Sequence, residues 1–173
     1  MRVAILTISD RASRGEYEDR SGPEIERVLE EAGLGAAEIV REIVSDDADE
    51  IRAALERLGD APTAGAPAVT PAVTATAADF IITTGGTGIG PRDLTPDVTR
   101  EYCERELPGI AEAIRAASLA ETRTAMLSRG YAGVRGRTIV VNVPGSVRGA
   151  GFAASVIAPI MSHALSMLEG GGH

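Results

Sequence analysis

The stretch "DFIITTGGTGIGPRDLTPDVT", residues Asp79–Thr99, decides how this chain folds. Its first six residues, "DFIITT", read as a strand. Gly85, Gly86, Gly88 and Gly90 follow within six positions, and Pro96 then suits the first turn of a helix, with Thr95 before it. A strand that passes through a glycine cluster into a helix is one step of an α/β fold.

The same alternation repeats on either side. "RVAILTIS" near the N-terminus is a continuous apolar run rich in β-branched residues, as expected of a parallel strand covered on both faces. "DRASRGEYEDR" is polar and reads as a loop. In "SGPEIERVLEEAGLG", Ile25, Val28, Leu29 and Ala32 recur at helical spacing, with Pro23 in the first turn and Gly33 at the end. "AAEIVREIV" predicts a second strand. "DDADEIRAALERLGD" predicts a second helix, capped by Asp46 or Asp47, with Ile51, Leu55 and Leu58 facing inward. "LTPDVTREYCERELPG" starts a helix that "IAEAIRAASLAE" continues. "GYAGVRGRTIVVNVPGS" holds a strand pair, and the last helix spans roughly Val147 to Leu168. The expected fold is α/β, with three α/β/α layers around a mostly parallel central sheet in a single domain. Residues 61–77, "APTAGAPAVTPAVTATA", have no period and almost no charge, and read as a flexible surface insertion.

Composition narrows the function. The chain has 173 residues, 44% of them hydrophobic, which suits one domain with a substantial core. A net charge of -8 without a Lys/Arg cluster argues against nucleic-acid binding, though not against a small anionic ligand held by local backbone donors. The single cysteine, Cys103, leaves no internal disulfide and no multi-cysteine metal site, and reads as structural. His163 within the last helix also reads as structural, and His173 as a disordered chain end. The N-terminus lacks a signal-peptide pattern and no run reaches about 20 apolar residues, so the expectation is a cytoplasmic protein without a membrane segment.

In an open parallel sheet, ligands bind beyond the carboxyl ends of the strands. Four polar loops follow predicted strands and should meet there: "SDRASRG", "SDD", "TTGGTGIGPRD" and "NVPGS". In the third, the glycines let the backbone approach a ligand and form an anion-binding nest, and Thr83, Thr84 and Thr87 add hydroxyls. No Gly-Lys-Ser/Thr follows, so this is not a P-loop. Asp46 and Asp93 could together hold Mg²⁺ beside phosphates. Alternatively, Asp46 is a helix cap and Asp93 a turn residue or an ion pair with Arg92. In "NVPGS", Gly145 and Ser146 could offer donors to an anion or form an ordinary turn. Arg129, beside Ser128, reads equally well as a phosphate partner or a surface charge.

The segments "TISDRASRGEYEDRSGP", "TTGGTGIGPRDLTPD", "PGI", "SRGYAGVRG" and "NVPGS", in this order over nearly the whole chain, resemble the MogA/MoaB family of molybdenum-cofactor biosynthesis. The resemblance implies an α/β/α domain that uses Mg²⁺ and ATP to adenylylate molybdopterin, releasing pyrophosphate. Asp46 and Asp93 then correspond to the catalytic, metal-holding aspartates. The implied substrate contacts are Ser9, Asp10, Arg11, Ser21, Gly22, Thr84, Gly85, Gly86, Thr87, Gly88, Ser128, Arg129, Asn142, Pro144, Gly145 and Ser146. A homotrimer or hexamer is implied, with a molybdate-inserting protein as a possible pathway partner. Two alternatives stand beside the enzyme: a non-catalytic molybdopterin-binding or assembly protein of the same pathway, and a different nucleotide-dependent enzyme on the same scaffold. Relatives often carry proline where this chain has Ser45, and Asp47 leaves the first aspartate uncertain by one residue. The 61–77 insertion looks longer than usual and should project from the amino end of the third strand, away from the site.

Overall fold

A computed structural model describes residues 1–34, 38–60 and 77–171. The elements are β1 (Arg2–Ile8), α1 (Asp10–Ser13), α2 (Ser21–Leu29), β2 (Glu38–Val44), α3 (Ala48–Gly59), β3 (Phe80–Thr84), α4 (Thr95–Tyr102), β4 (Arg105–Glu106), α5 (Pro108–Ser118), a 3₁₀ turn (Arg123–Leu127), β5 (Ala132–Arg135), β6 (Thr138–Val143) and α6 (Val147–Leu168). The strands form a six-stranded sheet in the order β2-β1-β3-β6-β5-β4. The first four are parallel, while β5 and β4 add an antiparallel edge.

Strand side chains alternate between two cores. Val3, Ile5, Phe80, Ile82, Ile139 and Val141 pack with Ile25 and Leu29 of α2, Ile114 of α5 and the Ala150–Met161 face of α6. Ala4, Leu6, Ile81 and Val140 pack on the other face with Ile51, Ala54 and Leu55 of α3 and with Val98 and Tyr102 of α4. This is the expected α/β/α sandwich. Ile5, Leu6, Ile81 and Ile82 are fully buried. Each such side chain contributes about 1.5–3 kcal/mol through burial.

Three local expectations change. The polar segment after β1 is not all loop: Ser9 accepts the Ala12 amide at 3.3 Å and caps the short helix α1. The helix predicted from residue 95 onward is interrupted. Leu107 precedes Pro108 and is steered away from helical geometry, so Pro108 opens a separate helix, α5. Between α4 and α5, Glu104 and Leu107 donate to Val134 and Ala132 at 2.9 and 2.8 Å, which lays β4 against β5. Finally, α6 is long and apolar enough by composition to span a membrane, with a mean hydropathy of 1.5. Its small apolar face (Ala150, Gly151, Ala153, Ala154, Ile157) is buried in the protein, while Ser155, Ser162 and His163 face outward. The expected insertion lies outside the described residues except for Ala77, as does His173.

Candidate functional site

The connection that leaves β1 runs through α2 to β2 on one side, whereas the connection that leaves β3 runs through α4 on the opposite face toward β4 at the other edge, so the two diverge between β1 and β3. Such a switch point opens a crevice at the carboxyl ends of the strands. The turn after β3 fills its rim. Gly85 and Gly86 have φ of 106° and 60°. A Cβ on Gly85 would stand 2.3 Å from the Ile8 carbonyl oxygen, and one on Gly86 2.4 Å from Thr95 Oγ1. Both positions therefore require glycine for conformation and for space. Buried Thr95, at the start of α4, clamps the turn: its hydroxyl donates to the Gly85 carbonyl at 2.9 Å and its amide to the Gly86 carbonyl at 3.2 Å. The loop after β6 joins it, since Thr84 Oγ1 donates to the Pro144 carbonyl at 2.8 Å and a Cβ on Gly145 would lie 3.0 Å from Gly85 Cα. Among the described residues, the successive amides of Gly86, Thr87, Gly88 and Ile89 have no hydrogen-bond acceptor. Unspent donors in a glycine turn are what an anion-binding nest requires.

Two aspartates border this loop. Asp47 caps α3 by accepting the Asp49 and Glu50 amides at 3.0 and 3.1 Å, which leaves Asp46 outside the capping role. Asp46 Oδ2 accepts the Asp10 amide at 2.8 Å, and the Asp46 amide donates to Asp10 Oδ1 at 3.1 Å. Asp46 Oδ1 lies 3.7 Å from the Cβ position of Gly86. Asp93 Oδ2 accepts the Gly90 amide at 2.7 Å and lies 2.8 Å from the Cβ position of Gly88. Arg92 pairs with Asp10 at 2.6 Å, not with its neighbour Asp93. No three acidic, histidine or cysteine side chains cluster into a metal cage among the described residues. Asp46 and Asp93 each keep one oxygen without a hydrogen bond there. That donor set fits Mg²⁺, which takes one or two carboxylates and completes its shell with substrate phosphates and water.

Several expected contacts are instead part of the scaffold. Asn142 is 2% exposed, gives its amide hydrogens to Thr83 and Thr99 at 2.8 and 3.0 Å, and accepts the Tyr131 amide at 3.2 Å. Buried Ser21 has its amide and hydroxyl, like the Gly22 amide, bonded to Asp19 Oδ1 at 3.0–3.1 Å. Thr84 is buried with its hydroxyl spent on Pro144. A polar side chain at a covered strand or helix end must be satisfied internally, and in this structure these three hold the loops in place. Ser9 is spent as a cap, and exposed Arg11 lies over the Tyr17 ring at 5.1 Å. Arg129 buckles the glycine loop, donating to the Gly88 and Asp93 carbonyls at 2.9 and 2.5 Å and pairing with Asp97 at 2.7 Å. That hydrogen-bonded guanidinium holds the Asp97 carboxyl below the usual carboxylate range.

Thr87, Gly88, Ser128, Pro144 and Ser146 border one cleft of about 440 Å³, whose mostly apolar lining includes Ile114, Leu127 and Phe152, with Arg115, Glu121 and Arg148 also on it. Gly88 also lies against Asp93, so this carboxylate borders the loop that lines the cleft. Gly145 borders a smaller depression of about 60 Å³ with Thr7, Ser9 and Ser21. Sequence reading missed the apolar wall and the organiser Asp19. Leu127 sits in a 3₁₀ turn without period, and Phe152 falls on a helix already explained by its packing. Asp19 had a faint signal, two residues ahead of a predicted helix start.

The family described as "Probable molybdopterin binding domain" matches residues 4–163. The molybdopterin adenylyltransferase of Helicobacter pylori is 35% identical over 170 residues, 98% of this chain and 89% of that protein. The crystal structure of the molybdopterin biosynthesis enzyme MoaB of Thermus thermophilus is similar with a TM-score of 0.80 and 42% identity, covering 98% of this chain and 96% of that one. The molybdopterin biosynthesis Mog protein of Mycobacterium ulcerans is similar with a TM-score of 0.77 and 38% identity, covering 96% and 98%.

Proposed function

This chain belongs to the molybdopterin-binding domain family, and from that premise we propose that its activity is the adenylylation of molybdopterin, with ATP as co-substrate and pyrophosphate as the second product. One observation carries the reading: four unspent backbone amides and two partly unspent aspartates meet on the loop that also walls the apolar cleft.

In this reaction a terminal phosphate oxygen of molybdopterin forms a bond to the α-phosphorus of ATP. The bond to the bridging oxygen breaks, and pyrophosphate carries away the electron pair. Both reactants are polyanions, so the chain's task is to hold them in line and offset their charge. The amides of Gly86 to Ile89 supply donors for phosphate oxygens, on a loop kept rigid by Thr95 and Arg129. The apolar wall of Ile114, Leu127 and Phe152 suits a flat heteroaromatic ring, and its position next to the loop orients the attached phosphate. Mg²⁺, when bound with the substrates, supplies further charge neutralisation at the transferring phosphoryl group, and Asp46 and Asp93 would hold it. Assembly as a trimer or hexamer in the cytoplasm belongs to the same proposal, and light scattering on the purified protein checks the assembly.

The direct test incubates purified protein with molybdopterin, ATP and Mg²⁺, and follows pyrophosphate release with mass spectrometry of the pterin product. The expected result is a mass gain of one adenylyl group matched by one pyrophosphate. Pterin binding without either product would point to a non-catalytic carrier.

A further inference from the structure

Asp10 and Asp46 lie just beyond the ends of the neighbouring parallel strands β1 and β2, and each accepts the other's amide, at 2.8 and 3.1 Å. This reciprocal pair brings two carboxylates of like charge into one place. Asp10 Oδ1 is used by the Asp46 amide, and Asp46 Oδ2 by the Asp10 amide. Asp10 Oδ2 takes the Arg92 guanidinium at 2.6 Å, and the same Arg92 nitrogen approaches the Asp46 carbonyl at 3.4 Å. Among the described residues, Arg92 is the cation ion-paired with this acidic pair. Arg92 is also part of the glycine loop, one residue from Asp93. Its side chain is 64% exposed and Asp10's is 22% exposed, so the contact straps the loop to the ends of β1 and β2 through a bond that is easily exchanged.

We infer that Arg92 is a built-in counter-cation, which neutralises the Asp10–Asp46 pair in the free protein and competes with a divalent ion for it. The inference rests on the reading of Asp46 as a metal-holding residue. A divalent ion approaching Asp46 meets a positive charge already seated on its partner. Arg92 therefore weakens metal binding to the free protein. A bound polyphosphate offers the guanidinium a second anionic partner and draws it off Asp10, so nucleotide and metal bind cooperatively through one side chain. Arg92 acts here as a positioning residue.

The sign of the effect separates this role from a purely structural one. Mn²⁺ titrations followed by electron paramagnetic resonance, at low ionic strength and without nucleotide, compare the wild type with Arg92→Gln and Arg92→Lys. Arg92→Gln should bind Mn²⁺ roughly threefold to fivefold more tightly, the range set by losing one exposed ion pair. It should also lose most of the tightening that ATP causes in the wild type, and its KM for ATP should rise. Arg92→Lys should stay near the wild type in Mn²⁺ affinity. Circular dichroism melts confirm that both variants fold. Equal or weaker Mn²⁺ binding by Arg92→Gln, or no detectable Mn²⁺ on either protein, overturns the inference. If the wild type adenylylates molybdopterin while Arg92→Gln shows no tightening, the Arg92 role fails and the activity stands. If the Mn²⁺ pattern appears but the wild type makes no adenylyl product, the activity fails and the Arg92 role stands.

Discussion

Polar clusters sit at both ends of the sheet, and they differ in how much of their hydrogen-bonding capacity is used. At the amino end, the Tyr102 hydroxyl donates to Asp60 at 3.2 Å, Arg135 pairs with Asp60 at 3.0 Å, and Arg135 also lies over the Tyr102 ring at 4.6 Å. Thr138 Oγ1 lies 3.1 and 2.6 Å from the Gly59 and Ala78 carbonyls. Burial, followed by the charge of Asp60, pushes the Tyr102 hydroxyl well above its ordinary range. Burial also pushes the Cys103 thiol up to about 12, which keeps it protonated and inert at neutral pH. This end closes on itself. At the carboxyl end, four amides of the glycine loop and one oxygen each of Asp46 and Asp93 are unspent. Folding satisfies buried polar groups, so the two ends differ in that only the carboxyl end keeps donors and acceptors open to water or to a ligand.

The sharpest way to break this contrast is Asp93→Ala. Turnover should fall on the order of 10²-fold or more, the scale of losing one preorganised electrostatic contact, while the thermal midpoint stays near that of the wild type. Wild-type turnover in this variant would sink the assignment. Gly85→Ala should damage both properties, because a side chain at φ 106° meets the Ile8 carbonyl. We expect a loss of about 1–3 kcal/mol in urea unfolding together with a clear fall in turnover. A neutral result would mean that the loop is not held as described.

At the closed end the expectation reverses. Tyr102→Phe removes one hydrogen bond from Asp60 and should cost about 1 kcal/mol of stability, with kcat and KM unchanged. A change in kcat would tie this end to the reaction. The smallest effect concerns the Arg129 buckle. Asp97 has its carboxyl held below the ordinary 3.8 in the folded state, so its contribution is fully present above that value and is lost as pH falls through the lower one. Wild type should therefore be slightly more stable than Arg129→Gln at pH 6, and part of that gap should close toward pH 2.5. Chemical denaturation at the two pH values measures it. A gap that does not change would remove the ion pair from the account.

Much of this was legible without coordinates. The apolar runs of β1, β3 and β6 and the 3.6-residue spacing of α2 and α3 announce a layered α/β fold, because burial on two faces needs apolar side chains at every strand position. The glycine turn was legible for a local reason: a backbone that must adopt positive φ beside a carbonyl admits little but glycine. Asp46 was legible only to within one residue. Which of two adjacent aspartates caps α3 depends on where the first helical turn begins, and that was settled when Asp47 accepted both capping amides.

The chain's own pattern thus determined the layers, the order of elements and the edge of the sheet at which polar loops gather. Tertiary structure decided which polar groups at that edge remain available. Asn142 and Thr84 look as ligand-ready in sequence as Asp46, yet each is hydrogen-bonded to a partner, 59 and 60 positions away. The apolar lining of the cleft and the Arg92–Asp10 strap were decided in the same way. Periodicity reports which face of an element is buried, but hydrogen-bond partners are chosen by proximity in space, and only the assembled sheet brings these residues together.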